Sequence, residues 1–494
     1  MRPSRHRMVY AAGALALMST LLTASPAAAV PSLGSVPDAG HLSVDPLMRH
    51  LRALQAATDR GGGVRAPGTA GFTNSAGYVE SVLTAAGYQV REHHFTFNYT
   101  QVLAARVRVL PDGGDEQIQV INYTPSTPVG GIQAPLAAVP VDATTGCEAT
   151  DYAGSDYSGR IALIRRGGCS FTVKQRAAAA AGAIAVIIYN NQPGKVYGSL
   201  LGPTDGVVPV GAVTQELGER LVAAGPVRLE LEVRQVIQTR ETFNILADTR
   251  RGDPNDVLVV GAHLDTIPES PGINDNATGV AAVLTLAQLA SHAPVPRKLR
   301  FAFWSAEEWG QVGSGAYLST LDAAGLAQIS GYVDLAKLGS PNYIRGVFDS
   351  ADVDGSGGVT GPAGSATIEN ALIQGFALQR LSWKPVDLGG LANSDWLSFL
   401  SAGVPISGLF SGTEDLKTAS EAALFGGVAG VAYDTCHALL CDRIDNVNRQ
   451  VLEQNLRAVA FGLVVLETAP CAGGQRARAP GASRTPAGPF GRLA

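Results

Sequence analysis

Charge is scarce in this chain. Only 16% of its residues are Asp, Glu, Lys or Arg, and 37 basic against 42 acidic side chains leave a formal net charge of −5. That excludes a disordered polyelectrolyte, and the slightly acidic balance argues against phosphate backbones, so no nucleic-acid partner is expected. Glycine and proline, 58 and 28 residues, make up about 17% of the 494, below the roughly 25–30% of a low-complexity chain. No internal repeat is visible, which rules out collagen and coiled coil, and a single long apolar stretch rules out a multispan membrane protein. Cysteine is sparse too, with five residues and no C-x-x-C pair, which argues against a cysteine zinc site. What is abundant is apolar material: 46% of the chain, enough for buried cores in about three structural units of roughly 150 residues.

The long apolar stretch reads as an address. Arg2, Arg5, His6 and Arg7 precede an apolar run from Met8 to Leu22, Ser25-Pro26 breaks it, and Ala27-Ala28-Ala29 supplies a small-residue cleavage pattern before Val30. Residues 1–29 are therefore expected to be a signal peptide, and the mature protein to be secreted without a stable membrane anchor. Export makes disulfides available. Cys147 and Cys169 lie 22 residues apart and Cys436 and Cys441 lie 5 apart, so two local bridges with Cys471 left over form the simplest pairing.

Composition along the chain divides the rest into 30–125, an insert at 126–234, a third region at 235–468, and a tail at 469–494. Helical spacing of Tyr78, Val79, Val82, Leu83 and Ala86 predicts a helix over 74–86, followed by a strand over 88–97. A polar, Pro-rich stretch at 123–134 marks a boundary. Within the insert, a strand over 160–165, an Ala-rich helix over 172–182 and a strand over 184–189 make a strand–helix–strand unit without a convergent acid, base or nucleophile. The run GRIALIRRGGCSFTVKQRAAAAAGAIAVIIYNN resembles the core of the protease-associated domain, a non-catalytic insert of exported peptidases. The third region alternates strands (256–262, 299–304) with helices (278–291, 449–466), the signature of an α/β sheet. The tail holds four arginines and no acid and is expected to be disordered.

Polar clusters sit at the strand ends of that third region. His263 and Asp265 follow the strand ending at Ala262, Asp275 lies in the loop opening the buried helix, and Glu307-Glu308 follow the strand ending at Trp304. In an open α/β sheet the carboxyl ends of strands form the crevice where ligands bind. Imidazole with carboxylates suits zinc, and Asp265, two residues past His263, is placed to fix the histidine tautomer. Each signal is ordinary alone, since a His-x-Asp is usually surface chemistry, an Asp at a helix mouth is often a cap, and paired glutamates usually form a solvated face. Together, in this order after apolar strands, they point to metal chemistry.

The motifs VVGAHLDT, PGINDNATG, FAFWSAEEWG, GSPN, GVPISGLFSG and YDTCHALLCD, with DNVN beyond, resemble those of the secreted double-zinc aminopeptidases that carry a protease-associated insert. HLRALQAATDRGGGVRAPGTAGFTNSAGYV also fits, so nearly all of the mature chain is covered. The resemblance implies a mixed twisted sheet flanked by helices, of the zinc-exopeptidase type, with a smaller β-rich insert. It implies two zinc ions, about 3.5–4 Å apart in such centres, with Asp275 bridging them, His263 on one and Glu308 on the other. Glu307 would be the general base, and the expected substrates are peptide or protein N-termini, cleaved by a monomer.

Two of the family's five ligand positions differ. The aspartate expected four residues before Ser340 is replaced by Ala336, with Asp334 two residues upstream, and the closing histidine is replaced by Ala438, with His437 just before it. The family's Arg-Ser-Asp-His run appears as Asn393-Ser394-Asp395-Trp396. Three readings follow: an enzyme with substitute ligands such as His437, an enzyme with a single weakened zinc, or a catalytically impaired homologue acting as a binding protein. A carboxypeptidase specificity and a glutaminyl-cyclase chemistry on this fold are the further alternatives. Sequons stand at Asn98, Asn122 and Asn276, the last inside the proposed site.

Overall fold

A computed structural model describes residues 42–468 except 197, 292, 294 and 390–392. The segments read as signal peptide and tail, with Cys471, lie outside the described residues. Among the described residues, no helix is long and apolar enough to cross a membrane.

At the centre of the peptidase half runs the strand Asp253–His263, whose residues are all buried from Val257 onward. It pairs in parallel with Arg297–Trp304 on one side and Ile329–Ala336 on the other. Parallel strands covered on both faces must be apolar on both, which is why 256–262 reads as an unbroken apolar run. Beyond Ile329–Ala336 come Ile406–Phe410, Gly346–Asp349 and Lys384–Asp387; only the Gly346–Asp349 pairing to Ile406–Phe410 is antiparallel. The sheet is mixed, as expected. Alternate residues of each strand enter opposite cores. Leu258 and Val260 pack with the helices Asp45–Arg60, Ala70–Ala85, Thr278–Ala290 and Arg449–Thr468, while Val257 and Val259 pack with Tyr317, Trp396 and Phe399 on the other face.

The strand expected over 88–97 is in fact Val90–Leu110, paired antiparallel along its length with Arg228–Asp248. Each strand has 21 residues, about 70 Å of extended chain. The strand continues through Thr100–Leu110, beyond the expected stretch, because its whole length is laddered to residues more than a hundred positions away. Arg106 and Arg108 on one strand pair with Glu230 at 2.6 and 3.0 Å, and Arg106 also pairs with Glu232 at 2.9 Å. The same two strands carry the insert. Ile132–Ala138 joins the edge of Arg228–Asp248, and Ile161–Arg165, Ala185–Tyr189 and Val210–Val213 follow in parallel, flanked by the helices Phe171–Ala180 and Gln215–Ala224. Cysteines 147 and 169 are bridged, as are 436 and 441.

Candidate metal centre

The carboxyl ends of the three central strands converge, and each delivers part of the site. His263 is the last residue of its strand and is fully buried. Its Nδ1 faces the backbone carbonyl of Asp265 at 3.2 Å, an arrangement that puts the proton on Nδ1 and leaves Nε2 as the donor atom. This differs in detail from the expectation that the Asp265 side chain fixes the tautomer, because its carboxylate is 3.9 Å from that nitrogen. The carboxylate instead accepts the backbone amides of Glu307 at 3.1 Å and Glu308 at 3.3 Å. It thereby fixes the turn that follows Trp304, where Ala306 and Gln311 both hold left-handed backbone, with φ of 56° and 54°. Non-glycine residues adopt that region only when their surroundings enforce it.

Asp275 lies in the short segment Ile273–Ala277, just before the buried helix Thr278–Ala290. It does not cap that helix by a side-chain hydrogen bond. Its position comes from Asp442, whose carboxylate accepts the amides of Asn274 at 2.7 Å and Asp275 at 3.1 Å. Asn276, the sequon residue, is fully buried; its side chain donates to the carbonyl of Leu335 at 2.9 Å and accepts from the amide of Lys337 at 2.9 Å. That amide is therefore structural, and a glycan has no room there.

The structure brings His263, Asp275 and Glu308 together: one donor atom from each lies within 4.8 Å of the others. His263 Nε2 and Asp275 Oδ1 are 3.2 Å apart and both buried, the nitrogen without a hydrogen-bond partner and the oxygen with the Lys337 ammonium 3.3 Å away. Two donors bound to one zinc ion at about 2.0–2.1 Å, with a tetrahedral angle between them, sit about 3.3 Å apart. The pair fits one ion. Glu307 Oε2 is 3.7 Å from the same imidazole nitrogen, and Glu307 Oε1 accepts from Gln311 Nε2 at 2.9 Å.

Electrostatics agree with a cation at this point. Burial opposes a charge on His263, but Glu307, Asp275 and Asp265 outweigh it and raise its pKa well above the ordinary value. Burial, with Asp275 and Glu307 nearby, pushes Glu308 up to about 8, and burial pushes Asp265 up to about 6. A divalent ion would add positive charge to carboxylates crowded in this way.

Two further groups reach Asp275: Lys337, to which the sequence reading gave no role, and His437, which it offered as a substitute ligand. Lys337 directly follows the strand Ile329–Ala336, has left-handed backbone with φ of 55°, and is buried with its Nζ 3.3 Å from Asp275 Oδ1. His437 Nε2 reaches Asp275 Oδ2 at 2.9 Å, and its Nδ1 pairs with Glu414 at 2.6 Å. Burial would lift the Asp275 carboxyl, but Lys337, His263 and His437 hold it well below the usual range. Burial likewise works against a charge on His437, yet Asp275 and Glu414 raise it to about 10.

The chain is 37% identical over 429 residues to a probable lipoprotein aminopeptidase, LpqL, of Mycobacterium tuberculosis, spanning 85% of this chain and 84% of that one. Residues 244–462 match the model of peptidase family M28, and residues 132–221 match the PA domain. The chain belongs to peptidase family M28. An aminopeptidase of Pseudomonas aeruginosa is 37% identical over 439 residues, covering 85% of this chain and 80% of its own. Among solved structures, an aminopeptidase from Aneurinibacillus sp. strain AM-1 has the same fold, with a TM-score of 0.67, 24% identity, and coverage of 86% of this chain and 94% of its own. A zinc aminopeptidase of Bacillus subtilis gives a TM-score of 0.60 at 22% identity, covering 88% and 98%.

Two positions of this M28 chain were read from the motifs as changed ligands. Ala336 ends its strand, packed in the core with Tyr332 and Phe410, and Ala438 has left-handed backbone with φ of 59° beside the Cys436–Cys441 bridge. Asp334 does not substitute for the lost aspartate. It is buried, accepting from the Tyr332 hydroxyl at 3.1 Å and the Trp396 amide at 3.2 Å, outside the ligand group. His437 does turn toward Asp275. Asp395 accepts from the Ser314 hydroxyl at 2.6 Å and is fully buried, with its pKa well above the ordinary value through burial and the charges of Glu307 and Asp334.

Two other residues hold the site. Arg65, fully buried, donates to the carbonyls of Leu264, Pro271 and Gly272, so one guanidinium ties the His263–Asp265 loop to the Asp275 loop. Trp309, two residues past Glu307, stacks on Tyr99 of the long strand with centroids 5.0 Å apart, and its Nε1 donates to the carbonyl of Thr100 at 3.0 Å. The insert-bearing strands are thereby fastened to the turn that carries the glutamates.

Proposed function

We propose that this chain is an exported, zinc-dependent aminopeptidase that hydrolyses the N-terminal residue of peptides. One observation carries the reading: His263, Asp275 and Glu308 present donor atoms to one point, with the Glu307 carboxylate beside them. The names of the curated relatives, aminopeptidases in each case cited above, support the reaction class. His263 Nε2, Asp275 and Glu308 would hold the ion. A zinc ion bound there supplies Lewis-acid polarisation of the scissile carbonyl and lowers the pKa of water. Glu307 has one oxygen anchored by Gln311 and the other facing the ligand cluster, so it is placed to take the proton of the attacking water and pass it to the leaving amine. Asp265 and Arg65 act on the reaction through others, by holding the glutamate turn and the two ligand loops.

A peptide with a free N-terminus, incubated with the zinc-loaded protein and followed by mass spectrometry, should shorten by one residue at that end. Its N-acetylated counterpart should remain intact. Shortening from the carboxyl end would replace this specificity with a carboxypeptidase one, and no shortening at all would favour the impaired homologue. A specific observation supports that second reading: Lys337 and His437 already place two protein cations against Asp275.

A further inference from the structure

The ligand group accommodates one ion, and the donors a second would require are already engaged. In a carboxylate-bridged pair, each oxygen of the shared aspartate serves one metal. In this chain, Asp275 Oδ1 faces His263 Nε2 at 3.2 Å and Lys337 Nζ at 3.3 Å, while Oδ2 faces His437 Nε2 at 2.9 Å. His437 is in turn held by Glu414 at 2.6 Å, so its two ring nitrogens both point at carboxylates and neither is left as a free donor. Ala336 and Ala438 contribute only methyl groups.

Lys337 is not a stray surface cation folded inward. Its amide donates to Asn276 Oδ1 at 2.9 Å, and its carbonyl accepts the Ser411 amide at 3.2 Å, which pins the residue in the left-handed conformation that sends its side chain to Asp275. A buried ammonium beside buried carboxylates is retained only when they compensate its charge. Its charge also raises the electrostatic cost of adding a second dication to a carboxylate that already serves one.

We infer that the Lys337 ammonium replaces the charge of a second metal ion at Asp275, so that the chain binds one divalent ion, at His263, Asp275 and Glu308. The inference rests on the same ligand group as the proposed function but reads metal number, not turnover. Metal-stripped protein titrated with zinc by calorimetry and checked by elemental analysis should bind one equivalent. Ala336→Asp alone should still bind one, because the ammonium remains, whereas Ala336→Asp with Lys337→Met should bind two. Two equivalents in the wild-type protein, a second equivalent gained by Ala336→Asp alone, a folded double variant that still binds one, or no binding at all would each overturn the inference. Should the double variant not fold, zinc-edge X-ray absorption of the wild-type protein decides: a zinc–zinc vector at about 3.5–4 Å contradicts a single ion, and its absence with one zinc bound supports it. One equivalent bound by a protein that cleaves no peptide would sustain this inference while ending the aminopeptidase reading, and two equivalents with full turnover would do the reverse.

Discussion

The carboxylate of Asp265 accepts the backbone amide of Glu307 at 3.1 Å, so the residue two past the proposed metal ligand His263 controls where the proposed base stands. A second oxygen takes the amide of Glu308 at 3.3 Å, so the same side chain orients a proposed ligand. Asp265→Asn turns one of these acceptors into a donor facing an N–H. Disturbing such outer partners of a metal site costs about 10–100-fold in metal affinity or activity. Zinc affinity and kcat of the variant should both fall in that range, and unchanged values would remove Asp265 from its positioning role.

In the proposed reaction Glu307 acts as a base and does not bind the ion. Glu307→Gln preserves size and the contact to Gln311 but cannot accept a proton. Turnover should drop by about 10²–10⁴-fold, the usual contribution of a general base, while zinc content measured by elemental analysis stays near that of the wild type. Equal loss of zinc and activity would instead make Glu307 a ligand.

Arg65 is a stability prediction. Its removal leaves the carbonyls of Leu264, Pro271 and Gly272 buried and without their donor. Each such group costs about 1–3 kcal/mol, so Arg65→Ala should destabilise by about 3 kcal/mol or more. Arg65→Lys should recover only part of this, since an ammonium cannot reproduce the planar fork. Chemical denaturation midpoints of the two variants check the order.

The metal-free chain should show a pH signature from His437. Its pKa is raised from 6.5 to about 10 in the folded state by Asp275 and Glu414, against burial. The stabilisation is therefore fully present below about pH 6.5 and is lost as pH rises through about 10. On the acid side, the hydrogen bond from His437 holds Glu414 at about 2 instead of 4.5, so its contribution is present above about pH 4.5 and disappears as pH falls toward 2. Thermal melts of metal-free protein should show lower stability at pH 10 than at pH 6.5, with a smaller difference in His437→Gln. An identical difference in the variant would assign the pH dependence elsewhere.

Much of the candidate site was legible in the sequence because His263 and the Glu307–Glu308 pair follow apolar strands, and Asp275 stands in the loop that opens a buried apolar helix. The helix predicted over 278–291 and the strands over 256–262 and 299–304 differ from the observed elements by only a few residues. Arg65 was not legible, since its partners are about 200 positions away and nothing local marks it. Lys337 was hidden for another reason. Its role depends on a left-handed backbone angle enforced by Asn276 and Ser411, and a lysine next to a strand end otherwise reads as solvent-exposed. The length of Val90–Leu110 was not legible locally because its extent is set by pairing with the distant strand Arg228–Asp248 and by the Arg106 and Arg108 ion pairs to Glu230.

Zinc-dependent turnover is the most direct test of the proposed activity. Protein purified without tags, stripped with a chelator and assayed on leucine p-nitroanilide should be inactive, and adding zinc should restore p-nitroaniline release. Stripped protein that is as active as the loaded form, or loaded protein that releases none at zinc excess, would contradict a metal-dependent aminopeptidase built on His263, Asp275 and Glu308.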